Sequence, residues 1–306
     1  MSIRDGLLLA LAIVTVAYSW FWGSHLLRET REGGAPNDPV RWPTPLELFI
    51  GFLTDFFDTL GIGSYAPTTS LFKFFKLVPD ENIPGSLNVG HAIPTFAEAF
   101  IYITIVAMDG KTLALMILAS VVGAWLGAGV VVKLPRRYIQ IGMGVALVAA
   151  AAFFTMKNLK MYPFDAATQS MEGGLLALEG PRLAIGLAGI FILGALMTLG
   201  IGAYAPTMVL VSLLGMAPTA AFPIMMGACA FLIPAADVKF IKSGRYSRAP
   251  CLGLTIGGTP GVLIAAFIAE KFFKLPISTI RWGVIAVVLY TAATLLRSAM
   301  AEPAKA

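Results

Sequence analysis

The chain has 306 residues, of which 58% are hydrophobic and only 13% charged, and its mean hydropathy is +0.81. Soluble globular domains are about 45–50% apolar and about 25% charged, so a water-soluble fold is excluded and a bilayer is the natural solvent. The net charge of +5 comes from basic residues in short loops, with no aromatic-interleaved basic patch; it suits a membrane surface and points to no nucleic-acid partner.

In chain order, the first apolar stretch, residues 7–22, follows Arg4. No small-x-small cleavage pattern follows it, so it is expected to be a retained helix with an interfacial aromatic end at Trp20, Phe21 and Trp22. A polar link over 23–43 completes an N-terminal region, 1–44. A first half, 45–156, then offers a helix at 46–60, a "GIG" interruption at 61–63, a short helix at 65–75 and a turn at 79–84. A helix at 85–108 containing Pro94 follows, then one at 112–132, a "KLP" break at 133–135 and a helix at 136–156. A charged loop, 157–180, leads to a second half, 181–306, with the same order. Its helix at 182–199 is interrupted by "GIG" at 200–202. A short helix at 204–214, a long one at 219–242, another at 252–273, "KLP" at 274–276 and a helix at 277–299 complete it. The expected fold class is all-α: a polytopic transmembrane helical bundle built from two internal structural repeats, each containing an interrupted helix.

The repeat reading rests on order and punctuation together. "TLGIGSYAPT" (59–68) returns as "TLGIGAYAPT" (198–207), with only Ser64 against Ala203 differing. Pro79 matches Pro218 and Pro84 matches Pro223. Ala119, Gly123 and Gly127 match Gly257, Gly261 and Ala265, a ladder of small residues that lets helix backbones approach in lipid. Whether the halves are parallel or inverted stays open at this stage. An inverted relation brings paired breaks together best.

Glycine and proline stop a helix, and a stopped helix frees backbone groups that hydrocarbon cannot satisfy. They persist only inside protein or beside a wet cavity. Pro67 and Pro206 fall in the first turn of the helix that restarts, where a missing N–H costs nothing. The restart carries partial positive charge and exposed N–H donors, which suit an anion. The candidate substrate-binding residues are therefore Gly61, Gly63, Ser64, Tyr65 and Thr68, with Gly200, Gly202, Ala203, Tyr204 and Thr207. A packing kink is the alternative for each copy.

Charged residues inside apolar segments are functional candidates. Glu98, Asp237 and His91 are candidates for coupling or gating. For Asp237, an ion pair with nearby Lys239 or Lys242 is the expectation. Asp55 and Asp58 lie one turn apart on one helix face. Gly194 and Met197 stand at the matching places, so any role for these aspartates is asymmetric. Cys229 and Cys251 lack metal-ligand or redox spacing and read as small core residues. No HExxH, GxGD or Walker motif is present, and Ala203 in place of Ser64 argues against a Ser64–His91 dyad. A non-enzyme without catalytic residues, metal or cofactor is expected.

Two apolar halves, each with a "GIG" break and later a Lys-Leu-Pro turn, resemble the TauE/SafE sulfite-exporter family of permeases over about residues 45 to 299. The resemblance implies a secondary transporter in a bacterial cytoplasmic (inner) membrane. Its substrate would be a small sulfur-containing anion such as sulfite or an organosulfonate, sulfoacetate for example. The "SYAP" and "AYAP" that follow the glycines depart from the family's longer glycine run and leave the exact substrate open. An anion channel, a carrier of another small organic anion and a membrane scaffold are the alternatives. The implied partners are the small anion and the lipid bilayer, and a homodimer is compatible with the reading.

Overall fold

A computed structural model describes residues 2–131 and 174–301 almost throughout, apart from 36–37, 40, 62, 80–81, 198–203 and 273–276, and only scattered positions between 132 and 173. The described helices are α1 (Ile3–Glu32), α2 (Pro45–Thr59), α3 (Tyr65–Phe75), α4 (Ile83–Ile105), α5 (Gly110–Val131), α6 (Gly180–Met197), α7 (Tyr204–Leu213), α8 (Ala221–Ser243), α9 (Arg248–Phe272) and α10 (Ile277–Ala301). A two-residue antiparallel pair, Gly34–Ala35 with Asp38–Pro39, accompanies them. Among the described residues, four helices are long and apolar enough to cross a membrane: α1, α6, α8 and α9.

Local chemistry sets the helix ends. Thr44 caps α2 with a reciprocal box: Glu47 N–H donates to Thr44 Oγ1, and Thr44 N–H donates to Glu47 Oε2 at 2.7 Å. Pro45 takes the first helical position, where its ring pre-sets φ. Asp109 caps α5 by accepting from the backbone N–H of Thr112 at 2.8 Å, a bond that holds its carboxyl below the ordinary aspartate range. The first helix is longer than the apolar pattern indicates. Residues 23–32, expected as part of a polar link, are helical, and Gly33 ends the helix at φ +84. Arg28–Glu32 and His25–Glu29 pairs one turn apart explain how a polar run stays helical.

The chain packs as two compact units, residues 1–105 with 226–269 and residues 106–225 with 270–306. In the first, α9 meets α2 along its glycines. A Cβ at Gly257 would lie 1.9 Å from the Leu48 carbonyl oxygen, and one at Gly261 would lie 2.4 Å from that of Phe52. In the second, a Cβ at Gly123 on α5 would lie 2.0 Å from the Phe191 carbonyl oxygen of α6. Gly194 on α6 approaches Ser120 on α5 in the same way, at 2.2 Å. Only glycine permits these backbone contacts.

Pro94 interrupts the ladder of α4 and leaves the Gly90 carbonyl without its helical donor. Thr255 on α9 replaces that donor at 2.8 Å. α1 belongs to the same unit. Leu11, Tyr18 and Trp22 are buried, and Arg4 donates to the Ile103 and Thr104 carbonyls at the end of α4. Trp22 therefore packs inside the protein, whereas Trp20 is exposed. Beneath α2, Ile50, Phe72, Val78, Ile83, Leu87 and Leu254 form an apolar cluster that fixes α3 and α4 against α2 and α9.

Candidate functional site

α2 ends where Gly61 donates its N–H to the Asp58 carbonyl at 2.7 Å. Gly61 and Gly63 have φ of +88 and +87, a region only glycine enters without strain. The chain thereby turns and restarts at Tyr65. Among the described residues, a Cβ placed on Gly63 would meet no atom within 4 Å, so the turn borders space that none of them fills. Ser64 precedes the new helix, and its carbonyl accepts from the Thr68 N–H at 3.0 Å.

Around this turn the first unit buries a polar network. Ser64 Oγ donates to Asp58 Oδ2 at 2.6 Å. Thr68 Oγ1 donates to the Ser64 carbonyl at 2.8 Å and lies 3.1 Å from His91 Nε2. His91 Nδ1 lies 2.7 Å from Asp55 Oδ1. Thr59 Oγ1 lies 2.8 Å from both the Asp55 carbonyl and Glu98 Oε1, and the Tyr102 hydroxyl donates to the Thr59 carbonyl. Tyr65 donates to Asn88 Oδ1 at 3.1 Å and stacks on His91 with ring centroids 5.7 Å apart. Asp55, Asp58, Thr59, Ser64, Thr68, His91 and Glu98 are all buried.

Helix geometry explains the convergence. Asp55, Asp58 and Thr59 share the last turn and a half of α2. His91, Glu98 and Tyr102 lie at turn-multiple spacing on α4. Gly258 on α9 makes room for Asp55, whose Oδ2 would stand 1.9 Å from a Cβ there. Asp55 Oδ2 and Glu98 Oε2 have no hydrogen-bond partner among the described residues. A carboxylate buried in this state is costly. Such a network is suited to holding and moving protons.

Of the residues singled out from sequence, Gly61, Gly63, Ser64, Tyr65, Thr68, His91 and Glu98 come together here. Asp237 lies in the same unit, but the expected lysine pair is corrected. Its Oδ2 accepts from the Tyr18 hydroxyl of α1 at 2.7 Å, while Lys239 and Lys242 are exposed on α8. Burial on the inner face of α8 points the carboxyl away from the side on which those lysines reach water. Gly200, Gly202 and Ala203 lie outside the described residues. Tyr204 begins α7, and Thr207 in its first turn is buried. Sequence reasoning missed Asn88, Tyr102 and Tyr18. Tyr102 stands one turn beyond Glu98 and Asn88 three residues before His91, a spacing that marks both for the same face.

Residues 4–154 match the family model described as Sulfite exporter TauE/SafE. Over this stretch the chain is similar to the TauE/SafE family. Its four membrane-length apolar helices fit an integral, multi-pass membrane protein, and the matched family is one of membrane transporters. The match takes in α1, which the motif resemblance placed outside the family region. No curated protein and no solved structure matches the chain.

Proposed function

We propose that this protein is a secondary transporter for small sulfur-containing oxyanions, sulfite or organosulfonates such as sulfoacetate, in a bacterial cytoplasmic membrane. The match of residues 4–154 to the Sulfite exporter TauE/SafE model supports the transport of sulfite-like anions. The observation that carries the reading is the turn between α2 and α3. It lies in a buried polar network, is held by two positive-φ glycines, and at Gly63 borders space that none of the described residues fills. The first turn of a restarting helix such as α3 carries N–H donors without helical acceptors, which suit an anion.

The duplicated decamer supports a second anion-facing restart at α7, and hence two repeats with interrupted helices at 45–156 and 181–306. The glycine contacts favour the duplication too. Phe52 and Phe191 stand 139 positions apart, and each presents its carbonyl to the glycine that occupies the matching place in the other ladder, Gly261 and Gly123. Neutral donors hold an oxyanion without trapping it. Hydrogen bonds to a charged group contribute about 1.5–3 kcal/mol each. Glu98, His91 and Asp237 serve as coupling groups, because an anion moving past these acids needs protons to offset their charge.

The test is uptake of labelled sulfite, sulfoacetate and simple carboxylates into proteoliposomes. Saturable uptake with trans-stimulation by sulfite or sulfoacetate is expected. Flux without saturation or trans-stimulation identifies a channel, and absence of flux for every anion refutes transport.

A further inference from the structure

The two breaks share their letters but not their titratable neighbours. Asp55 and His91 form a pair in the first unit; the positions 139 residues later hold Gly194 and Ala230. Asp58 and Ser64 form another pair, replaced by Met197 and Ala203. Both members of each pair are missing together from the second half, while the glycines, tyrosine, proline and threonine of the break are kept. The letters of the break recur without these pairs, so the pairs serve something particular to the first half.

Counting hydrogens shows what that is. A threonine hydroxyl has one proton. Thr68 Oγ1 lies on the Ser64 carbonyl, an acceptor only, so its proton is used there. His91 Nε2, 3.1 Å from the same oxygen, must then carry the hydrogen of that contact. The 2.7 Å contact between His91 Nδ1 and Asp55 Oδ1 needs a hydrogen as well. The Asp55–His91 pair in this arrangement therefore holds two protons, one on Nε2 and one shared between Nδ1 and Oδ1, and is neutral as a pair. Loss of one leaves Asp55 as carboxylate and His91 neutral with its hydrogen on Nδ1. Nε2 then offers a lone pair, and the Thr68 hydroxyl turns from the Ser64 carbonyl to His91.

We propose that Asp55, His91 and Thr68 form a proton switch on the first break: the proton count of the Asp55–His91 pair decides whether the Thr68 hydroxyl adds a second hydrogen bond to the Ser64 carbonyl, beside the backbone N–H, or turns to His91. Asp55 Oδ2 and Glu98 Oε2, fully buried and without a hydrogen-bond partner among the described residues, mark this network as one that takes up protons. The titratable groups facing the switch are Asp58 on α2, Tyr65 on α3, Glu98 and Tyr102 on α4, and Cys229 and Asp237 on α8. None of the described hydrogen bonds or ion pairs at Asp55 or His91 comes from lysine or arginine. The second break has Thr207 but neither the histidine nor the aspartate, so this switch stands on one side of the duplication only. The inference rests on the proposed anion transport.

The test uses the full-length protein in proteoliposomes, with exchange of labelled sulfoacetate measured across the range in which imidazole titrates, about pH 5 to 8. The wild type is expected to vary at least tenfold over this range. Asp55→Asn and Thr68→Val are expected to give profiles flat to within twofold, whatever their absolute rates, and Thr68→Ser, which keeps the hydroxyl, to restore the slope. Should Asp55→Asn fail to fold, the Thr68 pair decides by itself. A wild-type slope retained in Asp55→Asn or in Thr68→Val overturns the switch. So does exchange by the wild type that is indifferent to pH, which leaves the transport function standing. Absence of exchange for sulfoacetate, sulfite and the carboxylates alike removes the transport function, and the switch with it.

Discussion

At the scale of single residues, Glu98 and Gly63 carry the sharpest expectations. The buried Glu98 carboxyl meets Thr59 Oγ1 at 2.8 Å. A glutamine there can still donate to or accept from that hydroxyl but cannot titrate. Glu98→Gln is therefore expected to change the pH profile of flux while KM for the anion stays within about fivefold, since a neutral hydrogen bond is worth only about 1 kcal/mol. Flux measured against pH and substrate concentration decides this, and an unchanged profile makes Glu98 a structural residue. At Gly63 two constraints are conceivable, crowding of the free N–H groups by a Cβ and the backbone conformation itself. None of the described residues fills the space there, and the constraint is the backbone, with φ at +87. Gly63→Ala is expected to cost roughly 1–2 kcal/mol, the price of a left-handed conformation in an L-residue. Thermal melting of the detergent-solubilised protein checks this; an unchanged melting temperature sinks it.

Among the elements, the glycine-lined approach of α9 to α2 positions the site. Asp55 keeps its place because Gly258 leaves room for it, and α2 lies close because Gly257 and Gly261 let its carbonyls in. A Gly257→Val side chain would begin 1.9 Å from the Leu48 carbonyl oxygen, which no rotamer relieves. Overpacking of this kind costs typically 1–3 kcal/mol, and here it also pushes α2 away from α9. The expected outcome is a lowered melting temperature together with a loss of flux greater than the loss of folded protein. Gly23, where a Cβ meets nothing within 4 Å, is the control: Gly23→Val should leave flux near normal. Equal effects at the two positions would show that the glycines of α9 have no special packing role.

At the scale of the whole molecule, the units cut across the sequence halves. The first unit combines α2, α3 and α4 with most of α8 and nearly all of α9. The opening helix of one half thus finds its glycine partner in the other. Residues 1–156 expressed alone are expected to aggregate or be degraded, because α2 loses α9 and α4 loses the Thr255 donor to Gly90. Co-expression with residues 157–306 as a separate chain should restore a monodisperse complex, read by size-exclusion chromatography in detergent. A stable, monodisperse 1–156 fragment would contradict this.

Much of the architecture was legible in the chain itself. Apolar runs dictate helices in lipid, and glycine with proline dictates where they stop, so α3 begins and ends where its pattern does, at Tyr65 and Phe75. The break at Gly61 and Gly63 was legible for the same reason, since backbone sterics are local. The polar tail of α1 was not, because side-chain pairs one turn apart sustain it in place of an apolar stripe. The partners of the buried charges were not legible either. That Asp237 meets Tyr18 across 219 positions, and that Asp55 meets His91 rather than water, follows from which helix faces the packing brings together. Buried carboxyls take the nearest available donor, and only the tertiary structure decides which donor that is.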